Sequence, residues 1–257
     1  MPHIDPRAVV DPAARLGDGV VVGPFCVIGP DVVIGEGTVL KSHVVVDGNT
    51  RIGARCTIWP FASVGGQTQD LKYKGGKPGA VIGDDTTLRE YVTVNAATFD
   101  GDNTIVGSKC HIMAYSHVAH DCIVGNEVIM ANAATLAGHV IVEDQAIIGG
   151  LVGVHQFVRV GRLSITGGCA KIVQDVPPFM TADGNPLAVR GINKIGLERH
   201  GLSPEAVRNL KEAYRILYRR NLGVQDAVKE IQDALVMSPE LKHLADFVLA
   251  SERGITR

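Results

Sequence analysis

The sequence predicts a mainly β chain: a long solenoid of short stacked strands over residues 1–189, followed by a small α-helical domain over residues 190–257. Three observations lead there. An aliphatic residue recurs at every sixth position through two thirds of the chain, a small residue recurs two positions before it, and after Pro177-Pro178 a helical period takes over.

Counting in sixes from Ile4 to Ile172 gives 29 places, and 25 of them hold an aliphatic residue or Met; the exceptions are Asp70, Gly76, Asp100 and Thr166. That is far above the aliphatic share of an ordinary chain. The place two residues earlier reads Ala8, Ala14, Val20, Cys26, Val32, Thr38, Val44, Thr50, Cys56, Ala62, all small. Residues two apart on an extended segment share a face, so each six-residue unit sends one large and one small side chain inward. Gly or another turn former often follows the aliphatic, as in Ile34-Gly35 and Ile52-Gly53, which marks a short strand and then a bend. Strands and bends at fixed spacing stack coil on coil, each coil pairing the backbone of the last. A β-sandwich does not hold such a register from Ile4 to Ile172. The pattern resembles the hexapeptide repeat of left-handed parallel β-helix proteins, where three hexads form one triangular coil. The left hand is implied by that resemblance alone, since ordinary crossovers are right-handed.

Composition agrees with this core. Aromatics make up only 5% of the 257 residues while Gly reaches 30, as slots for branched aliphatics and small residues require. Acidic and basic residues number 27 and 25, for a net charge of −2, so no global basic surface offers itself to nucleic acid. No apolar run is long enough to span a bilayer, so no stable membrane insertion is expected. The start, Met1-Pro2-His3-Ile4-Asp5-Pro6, does not read as a signal peptide. Of five cysteines, Cys26, Cys56, Cys110 and Cys122 occupy the small inward slot as core packers and Cys169 does not. An odd, scattered set without Cys-x-x-Cys fits reduced thiols in a cytoplasmic protein.

Two stretches interrupt the period while keeping its count. The stretch from Val64 to Ile82 is three hexads long, one coil's worth, and is rich in Gly, Lys and Gln; it reads as an exposed loop suited to function. The second, Phe99 to Asn103, reads as a short turn-like insert. In the tail, Ser203-Pro204 reads as an N-cap and first helical residue, with Val207, Leu210, Tyr214 and Leu217 as the apolar face. Gly223 breaks this helix. Ala227, Val228, Ile231 and Leu235 mark a second, and Ser238-Pro239 starts a third through Leu241, Leu244, Ala245 and Val248.

With residues three hexads apart stacked on successive coils, His120 meets Gly138 and Gly138 meets Gln156. His139 and His155 adjoin those positions and His117 lies on the strand leading to His120, so four histidines gather at one edge. None occupies an aliphatic place. Two chemistries compete for such a cluster: transition-metal binding by neutral imidazoles and proton transfer. His120-Asp121 favours the second, because a carboxylate fixes a histidine tautomer and stabilises its imidazolium. The bare backbone N–H of a stacked Gly can face an oxyanion. Together these suit acyl transfer without a covalent enzyme intermediate; no Gly-x-Ser-x-Gly elbow and no placed Cys nucleophile appears.

Longer motifs are more specific. Gly35-Glu36-Gly37-Thr38-Val39-Leu40-Lys41-Ser42-His43, Gln69-Asp70-Leu71-Lys72-Tyr73, His117-Val118-Ala119-His120-Asp121-Cys122, Ala134-Thr135-Leu136-Ala137-Gly138-His139, Val154-His155-Gln156-Phe157 and Gln174-Asp175-Val176-Pro177-Pro178 resemble the UDP-N-acetylglucosamine O-acyltransferase family of lipid A biosynthesis, nearly end to end. The resemblance implies a cytoplasmic homotrimer with sites in clefts between solenoids. It implies transfer of a 3-hydroxyacyl chain from an acyl carrier protein thioester to the sugar 3-hydroxyl, with no cofactor and no metal. By resemblance His120 is the general base, Asp121 orients it and the Gly138 N–H forms the oxyanion hole. His117, His139, His155 and Gln156 line the site, Asp70 and Lys72 hold the nucleotide sugar, Asn193 and Arg199 belong to its nucleotide end, and Gly168 gauges acyl length.

Asn95, Ile195 and His200 depart from the family pattern, where an acid and a second Arg are usual in place of the last two. These changes bear on nucleotide binding and leave N-acylation of a 3-amino sugar analogue open beside O-acylation. A coenzyme A-dependent sugar acetyltransferase and a zinc carbonic anhydrase share the repeat; the latter needs a His-x4-His pair, absent among His111, His117, His120, His139 and His155. On the first tail helix Arg208, Lys211, Arg215 and Arg219 form a basic stripe, either a solvated face or a docking surface for the acidic carrier protein.

Overall fold

A computed structural model describes residues 1–257. The hexads become strands mostly two residues long, distributed in rotation over three sheets: sheet A from His3–Ile4, sheet B from Val9–Val10 and sheet C from Arg15–Leu16. Pairing between coils is parallel, with partners three hexads apart, as in Val21 with Val39, Val27 with Val45 and Val33 with Arg51. The result is a left-handed parallel β-helix followed by helices. The inward slots fill as the period requires: Leu40, Ile58 and Ile112 beside Val20, Cys26 and Cys110 are all buried. Five rings sit outside instead, where Phe25, His43, Phe61, Tyr91 and Tyr115 stack up the corner joining sheets A and B, with centroids 4.8–4.9 Å apart.

Corners follow a shared rule, counted from the inward aliphatic. The next residue lies hard against the following coil: a Cβ on Gly35 would come 2.6 Å from the Gly53 carbonyl carbon. Glycine there serves close approach rather than the bend itself. The second residue leaves the ladder, and its amide has no backbone acceptor at Glu36, Ser42 or Gly138. Proline costs nothing at such a place, which explains Pro12, Pro24, Pro30 and Pro60. The third residue makes the bend in the left-handed region, as with Phe25 (φ 60°), Arg55 (φ 55°) and Tyr91 (φ 59°). Side chains seldom adopt that conformation, and here stacking on both sides enforces it.

The interruptions do not keep the count of coils. Ser63 pairs with Thr93, five hexads on, and Thr93 with His117, four hexads on. Against the ordinary three, the first coil carries a two-hexad insertion within Gln67 to Pro78 and the next a one-hexad insertion. Because both insertions are whole hexads, the apolar period stays in phase across them. Asp70, Gly76 and Asp100 are therefore loop residues, whereas Thr166 keeps a buried inward place. Both insertions leave the solenoid at the corner joining sheets B and C.

Beyond Val176 an antiparallel hairpin, Met180–Asp183 with Ala188–Ile192, extends sheet A; residues 189 and 190 lie inside its second strand. Four helices follow: α1 (Lys194–Arg199), α2 (Pro204–Arg219), α3 (Val224–Ala234) and α4 (Pro239–Leu249). Ser203 and Ser238 cap α2 and α4 as their positions predict. The hairpin and α1 are additions to the sequence reading, each too short to show a period. The chain then returns to the solenoid, where the Thr256 amide donates to the Asp175 carbonyl at 2.7 Å and Ser251 Oγ to the Asp175 carboxylate at 2.7 Å. No helix is long and apolar enough to cross a membrane.

The alternation can be tested on one strand. Leu40→Ala, which empties a fully buried slot, should cost about 2–5 kcal/mol, and the adjacent outward Val39→Ala no more than about 1 kcal/mol, read from guanidinium unfolding midpoints. Equal losses would contradict the assignment of faces.

Candidate active site

The corner joining sheets B and C brings together His120 and Asp121, then Gly138 and His139, then His155, Gln156 and Phe157, on three successive coils. The stacking is direct. The His139 amide donates to the His120 carbonyl at 3.1 Å and the Phe157 amide to the Gly138 carbonyl at 3.2 Å. The His120 ring lies over Gly138, where any Cβ would overlap its Cε1 and Nε2 atoms. His139 stacks on Phe157 at 4.7 Å and meets His120 edge-on at 5.2 Å.

Asp121 holds His120 by a bond of 2.7 Å from Nδ1 to Oδ2. It also accepts from the Thr98 hydroxyl at 2.7 Å and the Thr98 amide at 3.0 Å. Burial alone would raise its pKa. The hydrogen bonds from His120 and from both groups of Thr98, with the charge of His139, draw it below the usual carboxylate value of 3.8. Asp121 is thus ionised at neutral pH and accepts only, so Nδ1 of His120 carries the proton and the Nε2 lone pair is free to act as a base. His117 shares a bond of 2.7 Å with Thr93 Oγ1 through its own Nδ1. Its pKa is pushed down by burial first and by His120 second, so it is neutral. Gly138 is buried and its amide has no acceptor, which leaves an N–H donor open beside the His120 ring. Burial pushes the Cys122 thiol up to about 12, so this neighbour supplies no thiolate.

The two-hexad insertion reaches the same corner. Asp70, His120 and His139 each offer a ligand atom within 4.8 Å of the others, a set able to hold a divalent ion or the hydroxyls of a bound molecule. Asp70 Oδ1 accepts from the Lys72 amide at 2.9 Å, while the Lys72 side chain is exposed. His155 is exposed, with Nδ1 at 3.1 Å from the Gln156 carbonyl and 3.3 Å from the Arg253 guanidinium.

Other expected residues stand apart. Asn193 donates from its amide to the carbonyl of Leu163, at the corner joining sheets C and A, at 2.9 Å. Its side-chain oxygen caps α1 by accepting from the Gly196 amide at 3.0 Å. Ile195, Arg199 and His200 are exposed beside it. Gly168 lies at the corner joining sheets A and B, where a Cβ would come 3.2 Å from the Gly150 carbonyl oxygen. Arg208, Lys211, Arg215 and Arg219 are exposed along α2; Arg215 pairs with Glu212 at 3.2 Å and Arg219 donates to the Tyr214 hydroxyl at 2.9 Å. The sequence alone assigns no role to Thr93, Thr98 or Phe157. Thr93 and Phe157 stand in register with His117 and His139 once the coils are aligned, whereas Thr98 sits on an insertion with no register.

Comparison with known proteins follows the same lines. A family described as UDP N-acetylglucosamine O-acyltransferase, domain 2, matches residues 175–256, and the bacterial transferase hexapeptide (six repeats) matches 13–48, 31–66 and 103–138. The chain is 51% identical over 258 residues to an acyl-(acyl-carrier-protein)–UDP-N-acetylglucosamine O-acyltransferase of Alkalilimnicola ehrlichii, covering 100% of both. It is 48% identical over 262 residues to that of Verminephrobacter eiseniae, again covering 100% of both. LpxA from Bacteroides fragilis, a UDP-N-acetylglucosamine acyltransferase, superposes with a TM-score of 0.97 at 40% identity over 98% of this chain and 99% of that one. LpxA from Acinetobacter baumannii does so at 0.95 and 42%, covering 99% of each.

The depressed carboxylate has a pH signature. The stability that Asp121 confers over Asp121→Asn should be complete above 3.8, its unfolded value, and shrink as pH falls through the lower folded one. Denaturant unfolding of both proteins between about pH 7 and pH 2 measures this, and a difference independent of pH would contradict it.

Proposed function

Because the chain belongs to the UDP-N-acetylglucosamine O-acyltransferase family, we propose how its own residues carry out that family's reaction. The chain is an acyltransferase that moves a 3-hydroxyacyl chain from acyl carrier protein to the 3-hydroxyl of UDP-N-acetylglucosamine, the first step of lipid A biosynthesis. His120 Nε2 takes the proton of the sugar 3-hydroxyl as that oxygen attacks the thioester carbonyl. Asp121 stabilises the resulting imidazolium, and the Gly138 N–H receives the tetrahedral oxyanion. Collapse expels the carrier thiolate, which takes the proton back from His120. The atoms balance: one ester forms, one thioester breaks, and the carrier leaves as a thiol. The observation that carries this reading is the buried Gly138 amide, without an acceptor, beside the His120 ring.

Asp70 and Lys72 bind the sugar nucleotide in this reading, and the closeness of Asp70 to His120 and His139 supports it. His117, His139, His155 and Gln156 line the cleft. Asn193 and Arg199 serve the nucleotide from a second copy, because they stand at a different corner of their own chain. An outward stripe of Ile105, Ile123 and Ile141, in register on sheet C and 36–46% exposed, lies between the two corners. Packing that stripe between copies joins one corner to the other, which fits a homotrimer. Gly168 leaves room for a long acyl chain that a larger side chain would block. The stripe of Arg208, Lys211, Arg215 and Arg219 docks the acidic carrier protein through steering that weakens with salt.

His120→Ala should lower turnover by at least about 10²-fold while the assembly persists. The assay offers a ladder of hydroxyacyl carrier proteins and both the 3-hydroxyl and 3-amino UDP-sugars, and weighs the products by mass spectrometry. Near-normal turnover in the variant would overturn the role of His120.

A further inference from the structure

Thr98 is 1% exposed, and its hydroxyl reaches three groups: Asp121 Oδ2 at 2.7 Å, His120 Nδ1 at 3.1 Å and Thr68 Oγ1 at 3.2 Å. Counting hydrogens fixes the direction of the bonds to Asp121 and to Thr68. The Asp121 carboxylate can only accept, so the one hydroxyl hydrogen of Thr98 goes to Oδ2, and the Nδ1–H of His120 goes there too at 2.7 Å. Thr98 has no hydrogen left for Thr68. Thr68 must therefore donate to Thr98, and its oxygen in turn accepts from the Asp70 amide at 3.1 Å. The chain runs one way, from the Asp70 amide through Thr68 and Thr98 to Asp121, where His120 also ends. Thr68 is itself only 6% exposed, which leaves little room for water to replace either hydroxyl.

The two insertions are thus joined to each other and to the catalytic pair by side chains that serve no purpose in the solenoid core. Thr98 holds both oxygens of Asp121, Oδ2 through its hydroxyl and Oδ1 through its amide at 3.0 Å, so the carboxylate cannot turn away from His120.

We propose that Thr98 is a positioning residue for the acyl transfer: its hydroxyl locks the Asp121-His120 pair and, through Thr68, ties that pair to the loop that carries Asp70. The proposal rests on His120 being the general base. It assigns the one-hexad insertion within Ala96 to Asp102 a function, since a coil without that insertion has no residue at this point. It also makes the loop and the base a single unit, so a sugar nucleotide held by Asp70 steadies the group that deprotonates it.

Thr98→Val keeps the shape and the amide bond to Oδ1 and removes only the hydroxyl, whereas Thr98→Ser retains the hydroxyl. Thr98→Val should lower kcat by about 10- to 100-fold, as loss of an orienting partner does, with KM for the UDP-sugar within about twofold. Thr98→Ser should keep at least about half of kcat, and every variant should stay folded at the assay temperature, with Thr98→Val melting lower because a buried bond to a carboxylate is lost. Thr68→Val, which leaves every bond to Asp121 in place, should lower kcat less. Added to Thr98→Val it should cost nothing further, because both act through one chain. Thr68→Val also keeps the test open should Thr98→Val fold poorly. Wild-type kcat in Thr98→Val, an equal loss in Thr98→Ser, or a change confined to KM overturns the positioning role. Fully additive losses overturn the tie to the loop. His120→Ala assayed in parallel separates the two levels: if it is inactive while Thr98→Val is active, only this proposal falls, and if both are active the base assignment falls with it.

Discussion

Parallel pairing between successive coils decides which residues meet. Each coil takes its backbone partners from the next at fixed register, so a side chain at a corner finds its neighbour three hexads on wherever no insertion intervenes. Everything at the corner of His120 depends on this. His120 can lie over residue 138 only because that residue is Gly, and the Gly138 N–H is open only because the second residue of a corner leaves the ladder. An open backbone donor is thus a common feature of these corners, and at Gly138 a histidine stands beside it. Preorganised donors of this kind need no rearrangement as charge develops.

The same register makes insertions safe. Insertions of two hexads and of one add chain at the corner between sheets B and C without shifting any inward side chain. They supply what the coil cannot: an acid facing the histidines, from Asp70, and two buried hydroxyls behind Asp121, from Thr68 and Thr98. A rigid solenoid sets distances between coils, and the loops complete the polar shell around them. The tail closes the stack at its end. It uses Asn193 as both helix cap and anchor to Leu163, which sets α1 at the corner between sheets C and A.

Much of this can be read from the sequence, for physical reasons that differ by element. The hexads are legible because period 2 along a strand and a triangular coil together force a large and a small residue inward at fixed spacing, and Val20 with Val22 or Cys26 with Ile28 show it directly. The meeting of His120 with Gly138 follows from the same arithmetic. The extent of the insertions is hidden because whole hexads leave the phase intact, so Asp70 looks like a failed inward place. The bend reads as a glycine effect, whereas left-handed residues such as Asp121 (φ 59°) and His139 (φ 59°) make it. Thr98 escapes a sequence reading, because no periodicity governs an insertion. Helix α1 spans six residues, too few for an apolar face to repeat.

The proposed division of the site between copies rests on the different corners occupied by His120 and by Arg199, and mixed assemblies measure it most directly. Chains carrying His120→Ala and chains carrying Arg199→Ala, each nearly inactive alone, are unfolded together in equal amounts and refolded. If each site takes His120 from one copy and Arg199 from the next, about a quarter of the sites receive both intact residues and that share of wild-type activity returns. If the mixture stays as inactive as its parents, the two residues serve one chain or none, and the shared site is contradicted.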